Sequence, residues 1–294
     1  MQIREKSVIL RAQLKMCPMD FIADIFQYRY LMNAVIACLL SGVTCGIIGT
    51  YIVARRMVFL SGGITHASFG GIGIAFYLGV NPILGALLFA TISAVGIEYA
   101  GSRMKIREDS AIGLVWGLGM AVGALFMSMR PGYTSGDLSN FLFGSIVTVT
   151  TSDVVMLAIL TLILLVVALL WLRPIMYVAF DREFAASAGI RTKTISYLMS
   201  IATAVCIVLS IRVMGIVLLV SLLTMPIVIA NMVTKDYRLL TIYGSIIASV
   251  AGVAGIALSY YLEVPSGPAI IFILTLALII VKLLSLHQRN TCTN

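Results

Sequence analysis

A chain of 294 residues, 61% hydrophobic and only 11% charged, cannot hide its apolar side chains in water. A soluble domain of this size still leaves about a quarter of its chain's surface facing water, and soluble domains carry about 25% charged residues. The formal net charge of +8 would point a soluble protein toward an acidic partner. Here the basic residues fall between apolar runs, where they orient helices, so nucleic acid is excluded as a partner and the lipid bilayer is the expected solvent.

Residues 1–29 are mixed and polar and lack the clean apolar core of a cleavable signal; they read as an N-terminal extension. Beyond them the apolar runs are continuous, as in Val154–Leu172 and Ile270–Leu284. Membrane strands would alternate over short segments, so these runs predict spanning helices. Nine candidate spans fall at about 30–54, 61–79, 82–100, 110–129, 153–172, 195–211, 213–233, 239–261 and 267–285. The junction near Arg212 is the weakest, and one broken element there would leave eight. The expected fold is an all-α integral membrane protein, a polytopic helical bundle over residues 30–285, followed by a tail at 286–294. No internal repeat is visible.

Orientation follows from Lys and Arg in the connections. One set of loops and ends holds thirteen: Arg55, Arg56, Arg103, Lys105, Arg107, Arg173, Arg182, Arg191, Lys193, Lys235, Arg238, Lys282 and Arg289. The other holds two, Arg130 and Arg212. The first set is expected in the cytoplasm, with the C-terminus. Nine spans then place the N-terminus outside, against the five basic residues Arg4, Lys6, Arg11, Lys15 and Arg29. Either residues 1–29 lie along the membrane surface or the start is later, at Met19.

Five cysteines form no CxxC pair; Cys38, Cys45 and Cys206 read as small apolar helix residues, without a disulfide framework. Gly42 with Gly46, Gly113 with Gly117 and Gly119 with Gly123 have the GxxxG spacing that lets helices approach closely in lipid. Tight packing within the chain is the first reading and a subunit interface the second.

The longest polar interruption is Arg173–Thr194. Within it, Asp181 suits a helix N-cap, Glu183 its first turn, the alanines its body and Gly189 its C-terminus. A two-turn helix at the membrane surface is expected. It exposes little bulk, so it is either a plain linker or an insert for a partner's groove.

The run Asp181, Arg182, Glu183, Phe184, Ala185 through Gly189 resembles the coupling helix of importer permeases driven by an ATP-binding cassette. Other stretches resemble the ABC-3 family of zinc, manganese and iron permeases: Arg55-Arg56-Met57 with Thr65-His66-Ala67 and Gly71; Gly215 through Pro226 and Ala230; and Ser259 with Pro265-Ser266-Gly267-Pro268. The resemblance covers about residues 30–284. It implies a homodimeric pathway, a separate cytoplasmic ATPase docked on 181–189, an external metal-binding protein, and a bacterial inner membrane. It implies no resident cofactor, the divalent metal ion being the transported substrate. The chain itself contains no GxxxxGK[ST], the loop that would cradle ATP phosphates.

His66 is the only histidine within a span. An intramembrane imidazole is a functional candidate by default and suits zinc or iron; its alternative is a packing role. The family often carries an acid four positions earlier, which would complete a clamp with His66. Here that position is Gly62, so a metal site at His66 must take its other ligands elsewhere, with Thr65 and Ser68 as weak oxygen donors. Thr65, Gly71, Gly215, Pro226, Ser259, Pro265 and Gly267 are the expected pore or hinge positions. Pro226 removes a helical hydrogen bond and predicts a kink. Glu98 is expected to snorkel or to pair with Arg103. Asp137, Asp153 and Glu263 read as external loop charges that attract cations or meet a binding protein, and Arg130–Ser152 as a segment with a short re-entrant helix. Fifteen methionines read mostly as packing.

Two other classes compete. A stand-alone secondary transporter of a small cationic solute would place paired charges at mid-membrane, where acids are nearly absent here. An intramembrane enzyme needs a catalytic constellation that one span histidine does not supply.

Overall fold

The computed structural model describes residues 18–129 and 149–292. Helices fill them in the order α1 Pro18–Gln27, α2 Arg29–Ala54, α3 Val58–Leu78, α4 Pro82–Ser102, α5 Glu108–Ser128, α6 Thr151–Phe180, α7 Arg182–Ser187, α8 Thr192–Met214, α9 Ile216–Val233, α10 Tyr237–Leu262 and α11 Ser266–Cys292. Among the described residues, nine of these are long and apolar enough to cross a membrane; α1 and α7 are not. The nine match the expected spans one for one. The expected break between spans six and seven is real: Gly215 has φ +76° and separates α8 from α9, and only glycine takes that conformation without penalty.

Two expectations are corrected. The fifth span does not end near Leu172; α6 runs on through Arg173 and Pro174 to Phe180, so the polar interruption is shorter. Helix α9 carries the buried Pro226 within it. Asp153 is not a solvated loop charge. It is 5% exposed, closes a capping box with Thr150 and pairs with Arg212 at 3.1 Å. Asp137 and the helix expected within 130–152 fall outside the described residues up to 148. Helix α1 docks at the Asp153 end: buried Phe21 packs on Tyr260 and Tyr261, and the Tyr260 hydroxyl donates to Asp24.

Glycines set the helix spacing. In lipid no hydrophobic effect drives helices together, so close backbone approach must. A Cβ on Gly46 would stand 2.7 Å from Ser245 Cα, and one on Gly42 2.8 Å from Ser249 Cα, locking α2 onto α10. Gly119 and Gly123 meet Ala67 and Phe69, and Gly71 meets Gly85, so α3 is wedged between α5 and α4. The Gly113 and Gly117 pair faces open space. Gly46→Ala is therefore expected to destabilise the purified protein by about 1–3 kcal/mol through overpacking. Gly96→Ala, whose Cβ meets nothing within 4 Å, is expected to be neutral or stabilising by up to ~1 kcal/mol. Thermal unfolding in detergent measures both, and equal shifts would contradict the packing.

Candidate functional site

Four charged side chains from distant sequence meet at the basic end of the bundle. Arg55 caps α2, Glu98 ends α4, Glu108 opens α5 and Arg182 opens α7. Arg55 Nη1 donates to Glu98 Oε2 at 2.9 Å and its Nη2 to Glu108 Oε1 at 2.7 Å. Arg182 Nη2 donates to Glu98 Oε1 at 2.7 Å. Arg55 also donates to the Tyr51 hydroxyl at 2.9 Å, and Ser200 lies 3.5 Å from Glu98. The side chains of Arg55 and Glu98 are 4% and 3% exposed; those of Arg182 and Glu108 are near one-third exposed. Burial opposes the Arg55 charge, but Tyr51, Glu98 and Glu108 outweigh it and hold the guanidinium above its usual range. Two cations face two anions, so the cluster is formally neutral and each buried charge has a partner, the condition for keeping charges out of water. Glu98 thus neither snorkels nor pairs with Arg103. One of its oxygens holds Arg55 and the other holds Arg182.

Arg182 roots the short helix α7. The Asp181 carboxylate accepts from the Glu183 and Phe184 amides, both at 2.9 Å. Gly189, at φ +78°, ends the turn, its amide bonding to the Ala186 carbonyl at 3.1 Å. Ala185 is fully buried, whereas Glu183, Ala186, Ser187, Ala188 and Gly189 are exposed. Phe184 is 57% exposed and lies against Tyr177. The expected surface helix is present, with its small residues outward and a charged anchor inward.

His66 lies mid-way along α3, flat against Trp116 of α5, with ring centroids 4.4 Å apart and planes 10° apart. Its Nδ1 is buried and has no hydrogen-bond partner. A Cβ on Gly62 would stand 3.4 Å from the same indole. Trp116 therefore fills the space beside Gly62, next to the imidazole. Among the described residues no three His, Cys, Asp or Glu side chains gather as a metal group. Thr65 turns its hydroxyl to the Ser61 carbonyl and Ser68 to that of Thr65, so neither offers His66 a ready second ligand.

The remaining expected positions are dispersed. Gly71 serves helix contact, Gly215 the α8–α9 turn, and Ser259 bonds to the Val264 carbonyl at 2.5 Å beside Pro265, with Gly267 buried just beyond. A cleft of about 710 Å³ at this opposite end is lined by Asn81, Met127, Ile211 and Arg212. Sequence reasoning missed Glu108, Trp116 and Tyr51. Glu108 looks like an ordinary first-turn acid. Nothing local marks Trp116, since its partners lie some fifty residues away.

Among the described residues, nine helices long and apolar enough to cross a membrane, with a charge-anchored short helix at one end, define a multi-pass membrane protein. The chain belongs to the ABC 3 transport family, whose model matches residues 27–285. It is 32% identical over 254 residues to an uncharacterized membrane protein of Synechocystis, covering 86% of this chain and 90% of that one. It is 30% identical over 253 residues to the manganese transport system membrane protein MntC of Halalkalibacterium halodurans, covering 86% of each. Its fold is similar to a chain of PsaBC from Streptococcus pneumoniae in complex with Fab, with TM-score 0.79 and 24% identity over 90% of this chain and 95% of that one.

Proposed function

We propose that this chain is the membrane-spanning permease subunit of an ATP-binding-cassette importer for divalent metal ions (zinc, manganese or iron). It works as a homodimer in a bacterial inner membrane, with the basic end and the C-terminus in the cytoplasm. A separate ATPase docks on residues 181–189, and an extracytoplasmic binding protein delivers the ion. The chain is not itself the enzyme; ATP is hydrolysed in the partner.

The observation that carries this reading is the root of α7. A plain linker needs no anchor, yet Arg182 is tied to Glu98 and through it to Arg55. Push on α7, and Glu98 moves with it; Arg55 then carries the displacement to the α2–α3 junction and so to the helix that bears His66. ATP binding would act by favouring one arrangement of this network over another, a population shift. The name borne by the halodurans relative supports a metal cargo. The half-buried His66 and the open Gly113 and Gly117 face beside Trp116 support a second copy completing the pathway.

One observation favours a secondary transporter: the buried Arg55–Glu98 pair, since such proteins hold paired charges within the membrane. The pair sits at helix ends rather than mid-span. Proteoliposomes separate the readings. The importer requires the ATPase, ATP and the binding protein for metal uptake, and uptake by the chain alone along an ion gradient would overturn it.

The His66 stack gives a separate expectation. The chain has two tryptophans, Trp116 and Trp171, so a Trp171→Phe background reports Trp116 alone. Gly62→Asp is expected to push the indole off the imidazole and shift its emission. Unchanged emission would mean that Trp116 does not fill that space.

A further inference from the structure

A second cleft, of about 720 Å³, runs between α2, α6 and α10. Its walls are apolar, with Ile47, Leu169 and Ile246 among them, and Leu169 is 81% exposed. At its basic end stand Arg173 and Arg238. The same two arginines line an adjoining pocket of about 310 Å³ with Tyr177, Tyr237 and Asp236. Both are exposed, and among the described residues no ion pair engages either. Asp236 does not take that role: one of its oxygens caps α10, accepting from the Arg238 and Leu239 amides at 2.8 and 3.4 Å.

We propose that this cleft is a binding site for an anionic phospholipid, its acyl chains along the apolar walls and its phosphate between Arg173 and Arg238. The chemistry of the cleft selects that occupant. The walls lie on the spanning helices α2, α6 and α10, with Leu169 and Ile246 exposed. The two free guanidiniums sit at one end, at the level of the headgroups. Guanidinium matches phosphate in a two-pronged geometry, and basic pockets between spanning helices are suited to anionic headgroups. An apolar segment of a partner protein would use the walls and leave both charges unanswered. Arg173 lies seven residues before the end of α6, whose next element is α7, so a bound lipid would brace the helix that leads into α7. The proposal rests on the membrane-spanning fold and not on the metal reading.

The test is native mass spectrometry of the purified full-length chain, titrated with phosphatidylglycerol or phosphatidylcholine of matched acyl chains. Neither metal, ATP nor partner is present, so failure here leaves the importer reading untouched. The wild type is expected to retain phosphatidylglycerol in preference to phosphatidylcholine. Arg173→Gln with Arg238→Gln is expected to weaken phosphatidylglycerol binding roughly thirtyfold. Ala168→Trp, which fills the groove and keeps both arginines, is expected to reduce binding of both lipids. Arg103→Gln with Arg107→Gln, at the same end but outside the cleft, is expected to change little. Equal binding by the wild type and the groove pair would overturn the proposal. So would an equal loss in the Arg103/Arg107 control, which would reduce the effect to surface potential. Chain-to-chain disulfides through Leu169→Cys with no lipid retained would assign the cleft to a second copy and also overturn it.

Discussion

Glu98→Ala is expected to lower the stability of the purified permease by about 3–5 kcal/mol and to abolish uptake. Removing this carboxylate strands Arg55, 4% exposed, with only the partly exposed Glu108 as counter-charge, and leaves Arg182 only Glu108, 4.0 Å away. The penalty comes from the uncompensated charge rather than from the worth of the pair. Truncating both sides should therefore recover part of it: Arg55→Met with Glu98→Met removes two charges together and is expected to unfold at a temperature closer to the wild type. Uptake should stay low in the double variant, because Arg182 still lacks its 2.7 Å bond to Glu98. Thermal unfolding and uptake, measured on the same preparations, separate the two effects. Equal instability of the single and double variants would mean that buried charge is not what the network manages.

Gly189→Val is expected to leave insertion and folding near normal while removing ATP-coupled transport. Gly189 has φ +78° and nothing near its missing side chain. A valine there meets no neighbour but pays about 1–2 kcal/mol or more of backbone strain, which the segment relieves by leaving its turn. That turn shapes the exposed face of α7. Displacing the centre of a docking surface typically costs 2 kcal/mol or more, so the ATPase partner should bind roughly thirtyfold more weakly. Pull-down of the partner by the purified permease reads this directly. Glu183→Lys, which keeps the backbone and reverses an exposed charge, should weaken the same contact without the strain. Full coupling in both variants would leave α7 a linker.

The spanning helices were legible because lipid imposes one requirement that composition can meet: a long apolar run. Every expected span has its helix. The cap at Asp181 and the stop at Gly189 were legible for a similar reason, since capping depends on a few adjacent residues. The charge network was not. Arg55 and Glu98 stand 43 positions apart and Glu98 and Arg182 84 apart, and nothing local distinguishes a buried acid from a snorkelling one. Pro174 stands inside α6 and Pro226 inside α9. Each lacks an amide, yet α6 and α9 run through them, because spanning helices tolerate proline when neighbouring groups satisfy the freed carbonyls. The GxxxG spacing marked three pairs, and packing uses two; the third face is open, and spacing alone does not say which. At Gly62 the sequence showed a missing acid. Only the fold showed that Trp116 stands beside it.

Coupling requires α7 to face the cytoplasm, where an ATPase reaches it. Ser187→Cys, in a chain with Cys17 and Cys292 replaced by serine, puts one exposed thiol on that helix, the other three cysteines being buried. In cells, a membrane-impermeant maleimide applied from outside is expected to leave it unlabelled. The same reagent applied to inverted vesicles should label it, and the ATPase partner should protect it. Labelling from outside would contradict the orientation and, with it, the coupling role of Arg182 and Glu98.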